Sequence, residues 1–188
     1  MMANQPVQFL DEATNPWPKT TGLRLVGFVF GVAVFLILLF ASEPGFVIGL
    51  DHANLLFHEA GHPIIGLFSS RLETYGGTMG QLTFPLLLAI SFWRKREALS
   101  CAASLIWFFE NFLNIARYMA DARELALPLV GGGDHDWNTI FTRWNVLQYD
   151  LDIAHIVSFF GWLGMTLAVL WAVWRWWVDR KQSNDSNQ

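Results

Sequence analysis

Residues 55–66 read LLFHEAGHPIIG. His58 and His62 are four positions apart, so on a helix their imidazoles share one face, a turn from each other. Two imidazole nitrogens at that spacing can hold one divalent cation. Glu59 is one step round from His58, beside such an ion rather than on it, where a carboxylate can take a proton from water. With zinc the chemistry is hydrolysis: the ion lowers the pKa of its water toward about 7, and the carboxylate completes the deprotonation and later protonates the leaving group. Buried charges and imidazoles are expensive in apolar surroundings, which makes a functional role the first reading of all three residues. The plainer alternative is three polar side chains hydrogen-bonded to neighbouring helices. Pro63 directly follows His62, so the helix loses the bond to the Glu59 carbonyl and can kink there.

Catalytic zinc takes three protein ligands and keeps one position open. The sequence offers two sources for the third. GGGDHDW (131–137) contains Asp134, His135 and Asp136 after three glycines that permit a close, sharp approach of the backbone. Asp136 can be the ligand with His135 behind it, or the reverse; an ordinary exposed turn would look the same. The rival is Glu110, inside an otherwise apolar stretch with Asn111 and Asn114. Its plainer role is an ion pair with Arg117 or a hydrogen bond to another helix. His52 and His155 lie off the His58/His62 stripe and read as histidines of the membrane interface. Asp121 and Arg123 in ADAR read as a solvated helix end.

The elements that must position these groups are membrane helices. The chain has 188 residues, 53% of them hydrophobic, and a mean hydropathy of +0.33. That is too apolar for an ordinary soluble domain. Residues 25–42 and 153–174 are uncharged apart from His155 and are of the length a bilayer core requires. Segments 52–70 and 99–116 are long enough to span if their polar groups face inward. Segment 74–93 is uncharged, but it is rich in Gly, Thr and Gln in its first half and broken by Pro85 in its second. The expected class is an all-α membrane protein: residues 1–180 form one membrane-embedded domain with about four transmembrane helices and a re-entrant segment at 74–93, and 181–188 form a disordered tail. The first run, preceded by a polar stretch, is expected to be an uncleaved anchor.

Basic residues set the orientation. If 74–93 dips in and returns, both termini are cytoplasmic, with Lys19, Arg24, Arg71, the basic run at 94–96, Arg175, Arg180 and Lys181 inside. Only Arg117, Arg123 and Arg143 then lie outside. A full span at 74–93 would move the run at 94–96 and spoil the bias. Segment 118–152 then lies on the outer face as a Gly-rich loop and a short interfacial helix. YGGT (75–78) reads as the strand-like edge of the re-entrant segment, where Gly76 and Gly77 would hold an extended substrate. The net charge of −4 is small and mixed and gives no sign of nucleic-acid binding, and a lone Cys101 excludes an internal disulfide.

HEAGH within a membrane segment, then a Gly-rich uncharged segment and a further polar-dotted one, resembles the site-2 protease family of intramembrane zinc metalloproteases. The resemblance covers roughly residues 50–137 and is specific at His58, Glu59 and His62. It implies a three-helix core with the motif on one helix and an aspartate ligand brought by a later one. HEAGH, YGGT, ADAR and GGGDHDW together also resemble a group of bacterial membrane proteins, which implies a bacterial inner membrane. The expected function is a membrane-embedded zinc-dependent hydrolase, a peptidase with Glu59 as general base, acting among membrane lipids on a transmembrane peptide. The alternatives are a metal-dependent lipid amide hydrolase and a non-catalytic structural or assembly subunit of a membrane complex.

Overall fold

The computed structural model describes residues 17–42, 47–130 and 134–185, and every regular element among them is helical. In chain order these are α1 (Gly22–Ala41), α2 (Leu50–Gly66), α3 (Glu73–Arg94), α4 (Ala98–Ala120), α5 (Asp136–Trp144), a 3₁₀ turn (Leu147–Tyr149) and α6 (Asp150–Asp185). Three stretches are long and apolar enough to cross a membrane: α1, α4, and the turn with α6 over Leu147–Lys181. The short helix expected after the Gly-rich loop is α5. Residues 181–185, expected as a disordered tail, continue α6. Residues 186–188 and the glycines at 131–133, read as permitting a close approach, lie outside the described residues.

Two clusters mark the ends of the bundle. At one end Trp17 meets Trp93 and Trp171 edge-on, with ring centroids 5.1 and 5.6 Å away. The guanidiniums of Arg96 and Arg175 sit 5.2 and 5.4 Å from the Trp17 ring. The start of α1, the end of α3 and the last third of α6 therefore gather at this end. At the other end Arg143 of α5 donates to the Arg71 carbonyl at 3.4 Å, and Tyr75 lies 6.0 Å from Trp144. Arg123 clamps Asp150 there with Nη2 to Oδ1 at 2.7 Å.

This arrangement corrects the sequence reading of two neighbouring segments. Segment 74–93 does not turn back: α3 is one continuous helix through Pro85, about 33 Å long at 1.5 Å per residue, running from the α5 end to the Trp93 end. YGGT lies inside that helix, so Gly76 and Gly77 present no strand edge to a substrate. The segment expected to span at 52–70 is instead the 17-residue α2, which, like α3, is not among the long apolar helices. Both its ends are tied near the α5 end. Asp51 accepts from Asn114 in the last third of α4, and His62 meets the carbonyl of Glu73, the first residue of α3. The physical reason is polarity: α2 carries Asp51, Asn54, His58, Glu59 and His62, whereas α3 carries a single amide, Gln81, between its first turns and its basic end.

Glycine makes the α2–α3 contact possible. A Cβ on Gly61 would stand 2.0 Å from the Gly76 carbonyl oxygen, and one on Gly80 2.3 Å from that of Phe57. Backbones this close leave no room for side chains between them. Ala60, the other small residue of the motif, is exposed. A separate core fastens α5: Ile140 and Phe141 are fully buried against Ile115, Met119, Ala122 and Ala154. Gly76→Val should overpack the crossing and cost about 1–3 kcal/mol or more. It is expected to lower the thermal unfolding midpoint in detergent, whereas Gly27→Val, on an open face of α1, is expected to leave it in place.

Candidate metal centre

α2 turns one stripe inward. Asp51, Asn54, His58 and Gly61 are buried on it, and His62 follows half-buried. Spacings of three and four residues keep these groups on one helical face. The two imidazoles stand edge to face, ring centroids 5.0 Å apart, despite Pro63. Asp136, at the first turn of α5, meets both. Its Oδ2 lies 2.9 Å from His58 Nε2 and 3.3 Å from His62 Nε2. His58, His62 and Asp136 thus form a group whose donor atoms all lie within 4.8 Å of one another and which can hold a metal ion. Two donors at 2.0–2.1 Å from one tetrahedral zinc lie roughly 3.3 Å apart, close to these separations.

Proton placement strengthens the case. His62 Nδ1 lies 2.8 Å from the main-chain oxygen of Glu73, and His58 Nδ1 lies 2.7 Å from the side-chain oxygen of Gln81. Carbonyl oxygens only accept, so each ring carries its proton on Nδ1. Both Nε2 lone pairs then point at a carboxylate oxygen that is itself an acceptor. Two extra protons would make a pair of imidazolium ions in contact, one of them buried, both facing the same oxygen of Asp136. One divalent cation satisfies all three donors at once, and outer acceptors on Nδ1 are the usual partners of metal-binding histidines.

The loop before α5 is held by a second set of contacts. The Asp136 N–H donates to Tyr118 Oη at 3.2 Å. Asp121, at the end of α4, accepts from the N–H groups of Ala126 and Leu127 at 2.9 and 3.1 Å. His135 does not join the metal group. Its Nδ1 accepts from the Asn138 N–H at 3.2 Å, capping α5, while Nε2 faces Asp121 Oδ2 at 3.3 Å. Burial holds the His135 imidazole below its ordinary pKa, against the pull of Asp121. Of the sequence candidates in GGGDHDW, the structure therefore brings Asp136 to the histidines, turns His135 to the helix cap and leaves Asp134 exposed.

Glu110 is also set apart from the metal group. It is fully buried, and its Oε2 accepts from Asn54 Nδ2 at 3.0 Å, the helix-to-helix hydrogen bond that was its plainer reading. His52 and His155 are exposed. ADAR is more than a solvated end, since Asp121 anchors the loop and Arg123 holds Asp150. Gly76 and Gly77 act as packing positions: a Cβ on Gly77 would stand 2.3 Å from His58 Nε2, so this glycine gives the ring its seat. Gln81 and Tyr118 were not singled out from sequence, and Asn111 entered there only as a polar neighbour of Glu110. The available signal for Gln81 was a lone amide deep in an uncharged helix, which must find a partner.

A cavity of about 770 Å³ opens onto the cluster. Glu59, half-buried, lines it together with His58, His62, Asp136 and Tyr118. The non-helical stretch 127–130 and Arg143 form other parts of the wall. Chemically the site offers two imidazoles and a carboxylate for an ion, a further carboxylate one helical step away, and room for a bound molecule.

Purified protein is expected to hold about one divalent ion per chain, read by elemental analysis. His58→Ala and Asp136→Ala should each abolish it, and Gly77→Ala should reduce it by displacing the ring. Glu110→Gln should retain it; loss of metal in that variant, with the fold intact, would count against the assignment of Asp136. No protein-family model, curated protein or solved structure matches the chain, so the reading of the site stands on its geometry.

Proposed function

We propose that the protein is a membrane-embedded zinc-dependent hydrolase, and specifically a peptidase of the kind the likeness to site-2 proteases suggests. The observation that carries this reading is the convergence of both imidazole Nε2 atoms on one oxygen of Asp136, at the wall of a cavity that Glu59 also lines. A structural zinc site is closed by four protein ligands; three ligands facing a cavity are the pattern of a catalytic one. This favours an enzyme over an assembly subunit.

His58, His62 and Asp136 would hold the ion. Zinc bound there would supply Lewis acidity, lowering the pKa of water and polarising a carbonyl. The chain's own work is proton handling and orientation. Glu59 takes a proton from water at the site and returns it to the departing amine. Tyr118, through its hydroxyl, and Asp121, through the loop, keep Asp136 facing the histidines. The irregular backbone at 127–130 offers main-chain groups along the cavity with which a peptide can pair. This supports a peptide over a lipid amide as substrate.

We place the aromatic end in the cytoplasm of a bacterial inner membrane, with both termini there and the metal centre toward the outer face. Lys19, Arg24, the basic run at 94–96, Arg175, Arg180 and Lys181 belong to that end, which supports the placement by the excess of cytoplasmic Lys and Arg. Arg71, Arg117, Arg123 and Arg143 belong to the other.

Glu59→Gln is the decisive variant. It is expected to keep its metal and to lose turnover by about 10²–10⁴-fold, the range for a positioned general base. The assay offers transmembrane peptides and membrane lipids in parallel, with products identified by mass. Undiminished cleavage by Glu59→Gln would sink the mechanism, and products from lipid alone would move the substrate to the amide-lipid class.

A further inference from the structure

We infer that Asn111, which touches none of the metal-binding residues, governs metal affinity through a relay of side-chain amides that fixes which nitrogen of His58 carries the proton. This inference rests on the metal reading above and adds a positioning role to residues outside the ion's reach.

The relay begins at a group whose polarity is beyond dispute. The main-chain carbonyl of Trp107 can only accept, and Asn111 Nδ2 donates to it at 3.0 Å. That contact sets the Asn111 amide, so its Oδ1 points the other way. Gln81 Nε2 donates to this Oδ1 at 3.2 Å. The Gln81 amide is thereby set in turn, and its Oε1 faces His58 Nδ1 at 2.7 Å. An oxygen there demands a proton on Nδ1, which leaves Nε2, 2.9 Å from Asp136 Oδ2, as the nitrogen that can give up its proton and bind an ion. Both amides are buried, Asn111 at 0% and Gln81 at 3% exposure. An amide flipped inside this chain would set donor against donor at one contact and acceptor against acceptor at the next.

Without the Asn111 amide nothing dictates the direction of Gln81. Its NH₂ can then face His58, drawing the lone pair onto Nδ1 and the proton onto Nε2. A protonated Nε2 cannot bind an ion, so metal affinity must carry the free energy of reversing that tautomer. The other polar chain at this level, from Trp107 Nε1 to Asn54 and on to Glu110, runs separately and does not substitute for the relay.

The test uses the full-length protein in detergent, with Zn²⁺ affinity measured by competition against a chromogenic chelator and the His58 tautomer read from ¹⁵N chemical shifts of the metal-free protein. Asn111→Leu, close in shape but without the amide, is expected to weaken zinc binding by about tenfold or more, within the roughly 10–100-fold range of outer partners of metal ligands. Its His58 nitrogen shifts should move toward the other tautomer. Asn111→Asp, in its protonated form, keeps both an acceptor for Gln81 Nε2 and a donor for the Trp107 carbonyl, and should stay within a few-fold of wild type. Adding Gln81→Glu to Asn111→Leu should restore affinity, since a carboxylate presents only acceptors to Nδ1. Gln81→Leu, which removes the acceptor itself, is the second route should Asn111→Leu fail to fold, and it should lose at least as much. Equal zinc affinity in wild type and Asn111→Leu would overturn the relay. So would equal losses in Asn111→Leu and Asn111→Asp, which would mark a packing role. A wild type that binds no zinc removes the metal reading instead, and the tautomer shifts alone then decide the relay.

Discussion

Two imidazole lone pairs and a carboxylate oxygen meet at a single point, and much of the fold can be traced to keeping them there. Left to themselves, three electron-pair donors repel. They are held by groups that have already taken the imidazole protons: the Glu73 carbonyl for His62 and Gln81 for His58. Each holder belongs to α3, and Asp136 belongs to α5. The site therefore exists only when α2, α3 and the α4–α5 loop are all in register, and a cation bound there would lock that register in place. Ligand binding to a folded arrangement stabilises it by mass action, so a bound ion and the tertiary structure would be coupled here.

The same constraint explains why α2 sits as it does. A helix with one acid, one amide and two histidines on a single face cannot turn that face to hydrocarbon. It is accommodated by packing closely on α3 and by side chains that reach α4, each polar group paired in turn: Asp51 with Asn114, Asn54 with Glu110 and Trp107, His58 with Gln81. The glycines at 61, 76 and 80 are the condition for that closeness. They bring the backbones near enough for short side chains to reach across, and Gly77 clears the space that the His58 ring fills.

How much of this could be read from the residues differs by level. The membrane class followed from uncharged apolar runs; α1 and α6 lie where those runs are, and α4 where a span with inward-facing polar groups was expected. The histidine pair followed from ligand chemistry and helical spacing, whereas Asp136 was one of several third-ligand candidates beside Asp134, His135 and Glu110. The roles of α2 and α3 did not follow, because length and charge treat both as marginal spans. What separates them is where polar groups find partners, a tertiary property. His135 and Asp136 illustrate the same limit: neighbours in sequence with similar ligand chemistry, one became a helix cap and the other joined the histidines because α5 begins between them. Glu110 looked like a ligand because a buried carboxylate needs a partner, and its partner proved to be an amide on the next helix.

The division of labour around Asp136 bears on how a loop can serve as part of a precise site. Loops are ordinarily the mobile part of a fold, yet the ligand here arrives at the end of one. Three independent contacts remove that freedom: Tyr118 takes the Asp136 N–H, Asp121 takes two N–H groups of the turn, and Asn138 donates to the Ala122 carbonyl at 2.7 Å. All three anchors reach the last turn of α4 or the residues just beyond it. The buried face of α5, with Ile140 and Phe141 at its centre, packs on that same region. The carboxylate is thus carried by α4 as firmly as the histidines are carried by α2. The irregular stretch 127–130 between the anchors stays at the cavity wall.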